Sequence, residues 1–242
     1  DGKLSRGLGD VYKRQVLGIA RHLRSAGARV LFGKPLATSL DWEPGEVTPP
    51  SPLIDDDVRF VGEILGLAEQ DLLPSLHLLS ARSGKQRLAD GVLTAGDGLD
   101  HLRSSLQQPD SGITLLEAAG SLHEGLLYGL SLVQLARDLD APVVLVHLWE
   151  DSRSVDALLA AQQQLGERLR GVVLNAVTPE DVETLERDVV PALQALGIEV
   201  FGVMPRSPLL RSVTVGELVR RLDARVLCCR DCLLYTSDAA DE

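Results

Sequence analysis

Apolar residues at positions 16, 17, 19, 20 and 23 fall on one face of a helix, so the pattern predicts a helix over 16–26. Gly27 follows where a helix end favours the left-handed conformation. Residues 28–32 read as a short buried strand that ends at Gly33-Lys34-Pro35. The stretch from Trp42 to Pro52 holds four prolines and reads as loop. Asp55, Asp56 and Asp57 then open a helical pattern running to Leu65, where carboxylates suit the helix N-terminus. Residues 76–79 are a further short strand candidate.

The second half alternates strand and helix. Strands are predicted over 113–118, 142–147, 171–175 and 198–203, and helices over 131–139, 155–165 and 179–196. The strands are continuously apolar rather than alternating, which indicates burial on both faces. Such strands, each followed by a helix, predict an α/β fold: a doubly wound, mostly parallel sheet with helices on both faces.

Ligands of such sheets bind beyond the carboxyl ends of the strands, so the polar residues there are the candidates. Lys34 follows a buried strand and precedes Pro35, a position from which it can hold a carboxylate or phosphate as a point charge; a solvated loop lysine is the plainer alternative. Glu117 ends an apolar strand ahead of Ala118-Ala119-Gly120 and can either coordinate Mg²⁺ or cap a helix. Asp55 and Asp57 can complete that metal shell, or simply cap their own helix. Asn175 can read a nucleotide base through its amide, or form an Asx turn ahead of Thr178-Pro179. Trp149 to Asp151 and Pro205-Arg206 occupy the other strand ends.

Composition removes several function classes. The net charge of -11 and 3% aromatic content argue against a nucleic-acid partner or an anionic membrane surface. No uninterrupted apolar run reaches the roughly 20 residues of a membrane span. The three cysteines, Cys228, Cys229 and Cys232, have no upstream partner, so a reducing, cytoplasmic compartment is the default. Cys229 and Cys232 are half of a zinc ligand set without the other half. The five histidines show no ligand spacing, and no Gly-x-Ser-x-Gly elbow supports hydrolase chemistry. A mononucleotide-binding sheet usually opens with Gly-x-x-x-x-Gly-Lys-Ser/Thr, and no segment of this chain satisfies that spacing.

Both ends read differently from the middle. Residues 9–15 and 232–242 resemble adapter-derived peptides of metagenomic translations, so 1–15 and 232–242 are expected to be non-native. The first strand and the phosphate loop are then expected to be missing ahead of Val16.

Four segments carry a family resemblance: Phe32-Gly-Lys-Pro-Leu-Ala-Thr38, Leu115-Leu-Glu-Ala-Ala-Gly120, Pro142-Val-Val-Leu-Val146 and Gly171-Val-Val-Leu-Asn-Ala-Val-Thr-Pro179. In order and spacing they resemble the motifs of dethiobiotin synthetase-like P-loop NTPases. Asp55-Asp-Asp-Val-Arg-Phe60, Leu122-His-Glu-Gly125, Asp156-Ala-Leu-Leu-Ala160 and the segment from Leu209 to Leu218 look more like the N-terminal domain of phosphotransacetylase-family proteins, which precedes a DRTGG domain. The resemblance implies a domain over 16–213 and the start of a DRTGG-type region over 214–231.

It also implies ATP and Mg²⁺ as cofactors, with Lys34 facing the substrate and Glu117, Asp55 and Asp57 matching the metal carboxylates. Asn175 matches the base-contacting asparagine, and Pro205 lies near the same nucleotide. The synthetase's Glu-Gly-x-Gly-Gly is here Glu117-Ala-Ala-Gly-Ser121, a differently lined pocket. The implied function is a nucleotide-binding regulatory module, inactive without its loop, that biases an attached DRTGG domain. The alternative is an ATP-dependent ligase of the dethiobiotin synthetase type. Association with a second copy stays open.

Overall fold

The computed structural model describes residues 5–38, 52–107 and 112–206. The chain starts with helix α1 (Ser5–Ser25), followed by strands β1 (Val30–Gly33) and β2 (Leu36–Ala37) and helix α2 (Asp56–Leu65). Short strands β3 (Leu72–Leu73) and β4 (His77–Leu78) lead to α3 (Ala81–Asp90) and α4 (Asp97–Leu106). Then come β5 (Ile113–Leu116), α5 (Leu132–Asp138), β6 (Val143–Leu148), α6 (Arg153–Leu165) and β7 (Leu169–Val177). Helices α7 (Val182–Thr184) and α8 (Val190–Ala195) precede β8 (Val200–Pro205).

Every strand pairing is parallel, as continuous apolar strands separated by helices require. The hydrogen bonds form three ladders, β3-β1-β5, β2-β4 and β6-β7-β8. β5 and β6 therefore edge two different three-stranded sheets.

Helices cover both faces of the first sheet. Val30 and Phe32 of β1 pack with Ala20 of α1 and Val58 and Val61 of α2. On the other side Leu73 and Leu116 join Leu99 and Leu102 of α4, Tyr128, and Leu135 of α5. In the second sheet Val172 and Leu174 bury against Leu158 of α6 and Leu193 of α8. Each large apolar side chain so buried contributes about 1.5–3 kcal/mol.

The differences from the sequence expectations have local causes. α1 extends the helix expected from residue 16 back to Ser5. α3 escapes the apolar pattern because none of its residues is buried, and a Ser80 capping box fixes it instead; α4 does carry Leu99, Leu102 and Leu106 at helical spacing, a signal that went unread. The long helix expected over 179–196 is broken into a 3-10 turn, α7, a π turn at Leu185–Val189 and α8. Pro191 lacks the N–H that an unbroken α-helix would use there, and the wider turn precedes it. Most of the Trp42 to Pro52 loop, and all of the expected segments at 214–231 and 232–242, lie outside the described residues.

Candidate functional site

Lys34 follows the last residue of β1, and its backbone is clamped at once. Ser75 Oγ donates to the Lys34 carbonyl at 2.6 Å, and Leu76 N donates to the Pro35 carbonyl at 2.8 Å. The chain turns at Pro35 into β2, which pairs with β4 and leaves Lys34 buried, 5% exposed. Its ammonium donates to Thr38 Oγ1 at 2.6 Å and to Asp57 Oδ2 at 2.8 Å, with Asp55 Oδ2 at 3.5 Å.

Asp55 is the N-cap of α2. Its Oδ1 accepts from Asp57 N at 2.8 Å, and its Oδ2 accepts from Thr38 N at 2.7 Å. One fully buried carboxylate thus starts a helix and ties it to the lysine-bearing segment. Asp57, two residues on in the first turn, reaches the ammonium directly. Glu117 arrives from the other side: its N–H donates to the Gly33 carbonyl at 2.9 Å, one residue beyond the last β1–β5 pair.

Burial alone would lower the Lys34 pKa, but Glu117, Asp55 and Asp57 outweigh it and raise the pKa above the ordinary lysine value. The lysine is therefore held charged among three carboxylates, and the group carries an excess of negative charge. Among the described residues no three carboxylates, histidines or cysteines gather as a ready metal cage.

Asn175 and Pro205 form a second group, at the carboxyl ends of β7 and β8. Val177 lies opposite Pro205 in register, and Arg206 N donates to the Val177 carbonyl at 2.6 Å. Asn175 is 3% exposed, and its Nδ2 is buried without a hydrogen-bond acceptor. Its backbone carbonyl accepts from Trp149 N at 2.9 Å. Ala176 beside it has φ +56, left-handed for a residue with a Cβ, at an irregularity in the β7–β8 pairing. A buried donor without a partner and a strained backbone adjoin at one strand end, which is where ligand groups of parallel sheets are found.

A family model described as an AAA domain matches residues 16–214. The chain belongs to that family. It is a P-loop NTPase-type family, and the parallel α/β layers of this AAA domain agree with it. The domain's polar candidates gather where such a sheet binds ligands, in two groups: Lys34 with Asp55, Asp57 and Glu117, and Asn175 with Pro205. A cleft of about 440 Å³ at the opposite, amino end of β1, between Arg24, Arg29, Gly66 and Asp71, belongs to neither group. No helix among the described residues is long and apolar enough to cross a membrane.

Thr38 and Ser75 escaped the sequence analysis. Thr38 carries a legible signal, since it stands four residues after Lys34 with Pro35 between them. Ser75 carries none, because its role depends on which segment lies against Lys34.

Proposed function

We propose that this AAA domain is the nucleotide-binding regulatory module of a phosphotransacetylase-type protein, and that ATP with Mg²⁺ biases an attached DRTGG-type domain. The observation that carries the reading is the convergence of Lys34, Asp55, Asp57 and Glu117 at the carboxyl ends of parallel strands in a P-loop NTPase-type domain. Mg²⁺ takes few protein carboxylates and completes its shell with water and phosphate oxygens, so a site with surplus negative charge but no closed cage suits it. Asp55 is committed to capping α2, which leaves Glu117 and Asp57 as the residues that would hold the metal side. There Mg²⁺ would neutralise charge on the phosphates. Lys34 orients those carboxylates and offers its ammonium to an anionic group.

The amide of Asn175 would donate to an acceptor on the base, with Pro205 at the end of the neighbouring strand. The phosphate loop belongs to the site but matches no segment of this sequence. A strand carrying it between the edges of β5 and β6 would join the two three-stranded sheets, and among the described residues no strand pairs with either edge.

Calorimetric titration with Mg²⁺–ATP tests the proposal. The chain itself is expected to bind more weakly than about 10 μM, because the backbone donors of the loop supply most phosphate affinity. A version with a strand and Gly-x-x-x-x-Gly-Lys-Ser ahead of Val16 is expected to bind, and Glu117→Gln in it to lose the Mg²⁺ dependence. The reading fails if the loop-bearing version does not bind. It also fails if the chain binds equally well without the loop.

A further inference from the structure

A second polar cluster lies apart from the lysine group and has no part in the proposed function. His77 of β4 places its Nε2 2.6 Å from Arg87 Nη2 and 3.0 Å from the Ala95 carbonyl. A ring nitrogen can serve only one of these neighbours. It accepts from the guanidinium when it bears a lone pair, and donates to the carbonyl when it bears a proton. Arginine is always a donor, so the short contact selects the neutral ring with its proton on Nδ1.

Arg87 holds more than the ring. Its Nη1 donates to the carbonyls of Val92 at 3.1 Å and Thr94 at 2.9 Å, and its guanidinium lies 5.1 Å over the Tyr128 ring. One cation therefore ties α3 to the segment 91–96 and to Tyr128. Around His77, α3 presents Arg87, the turn at Leu126–Tyr128 presents Tyr128 with its ring 6.0 Å away, and the segment before α4 presents the Ala95 carbonyl. The paired strand β2 brings only the uncharged Leu36 and Ala37.

We propose that His77 and Arg87 form a proton-controlled latch that holds the segment 91–96 in place and releases it when His77 takes up a proton. Protonation puts a hydrogen on Nε2 that suits the Ala95 carbonyl, and sets two cations at hydrogen-bond distance. Arg87 then withdraws and gives up the carbonyls of Val92 and Thr94. The effect reaches neighbouring backbone, because a Cβ built on Gly129 would stand 2.6 Å from Ala95 N. It also reaches β2, two residues beyond Lys34, because Leu36 pairs with His77 and Leu79 N donates to the Ala37 carbonyl at 2.7 Å. Burial and the facing guanidinium both keep the ring neutral, while the Ala95 carbonyl works against them.

The test uses the full chain. Long-range proton–nitrogen spectra at about pH 8 should show the His77 ring with its proton on Nδ1. Between about pH 8 and pH 5, amide-exchange protection at 91–96 should fall about tenfold, with core protection in β1 and β7 unchanged. His77→Gln should abolish the pH dependence. Should that variant fail to fold, Arg87→Ala serves: protection at 91–96 is then low at every pH, and the ring titrates at a higher pH than in the parent. The latch is overturned by an Nε2–H ring at neutral pH, by protection that does not change with pH, or by a pH dependence that survives His77→Gln.

Discussion

The backbone N–H of Glu117 donates to the carbonyl of Gly33 at 2.9 Å, and this one bond sets two charged side chains side by side. It extends the β1–β5 ladder past Gly33↔Leu116, so the residues after each strand, Lys34 and Glu117, leave the sheet together. A carboxylate delivered in this way raises the pKa of the lysine next to it. The sheet register is thus what builds the charge group, and the α2 cap supplies its other half.

Lys34→Met should therefore be strongly destabilising. It removes the Lys34 ammonium from its ion pairs with buried Asp55 and with Asp57, and breaking one side of a buried ion pair costs about 3–5 kcal/mol. Urea unfolding would show it as a lower midpoint. Adding Asp57→Asn should recover part of the loss, since the two residues are coupled. A loss below about 1 kcal/mol would mean that the carboxylates are satisfied without the lysine.

Two glycines should respond unequally to alanine. Gly129 has φ +68, and an added Cβ would meet backbone atoms of Thr94 and Ala95 at 2.6–2.9 Å. Neither the conformation nor the space can give way, so Gly129→Ala is expected to cost more than about 2 kcal/mol. A Cβ on Gly171 would meet the Phe201 ring at 2.6 Å, but that ring is 55% exposed and free to swing outward. Gly171→Ala should cost under about 1 kcal/mol. Thermal unfolding of both variants decides, and equal losses would contradict the argument.

The layers of this fold were legible because their signals are local and repeated. Pro142 to His147 and Gly171 to Asn175 are apolar runs too short for helices, and each is followed by a helix-period segment. The rule that strand ends bear ligands singled out Lys34, Glu117 and Asn175 as candidates, and the structure sets all three at the carboxyl ends of parallel strands. Which residues would meet was not legible. That Asp57 touches Lys34 while Asp55 caps its own helix depends on how α2 sits against β2, and no spacing encodes that. The Ser80–Ser83–Tyr128 and His77–Arg87 contacts were equally hidden, because they join separate segments whose meeting depends on tertiary packing. Nor does an alanine at position 176 announce a left-handed residue; glycine or asparagine would have.

Stability should fall at both ends of the pH range, for different residues. His147 has its pKa lowered by burial, against a smaller opposing effect of Glu150, and His77 is lowered too. A folded pKa below the unfolded value of about 6.5 means that unfolding takes up protons. The stability from these rings is complete above about pH 6.5 and declines as the pH falls through the lower folded values. Lys34 acts in reverse: its raised pKa gives stability that is complete below about 10.4 and is lost as pH rises through the folded value. His147→Leu should flatten the acid limb of a urea-midpoint profile and leave the alkaline limb alone. Unchanged acid slopes would show that the ring is not buried neutral.

Asn175 separates folding from function more sharply than any other position. Its Nδ2 is buried without an acceptor, and a buried polar group left unpaired costs about 1–3 kcal/mol. A side chain kept for folding would be paired, whereas one kept for a ligand tolerates that cost until the ligand arrives. Asn175→Leu, similar in size and without polar atoms, is therefore expected to raise stability by about 1 kcal/mol, read as a higher urea midpoint. In a loop-bearing version the same substitution should weaken ATP binding at least tenfold while leaving inorganic phosphate binding unchanged, because only the base loses its donor. A drop in stability on Asn175→Leu would show that the amide serves the fold. A rise with undiminished ATP affinity would move the base to other residues.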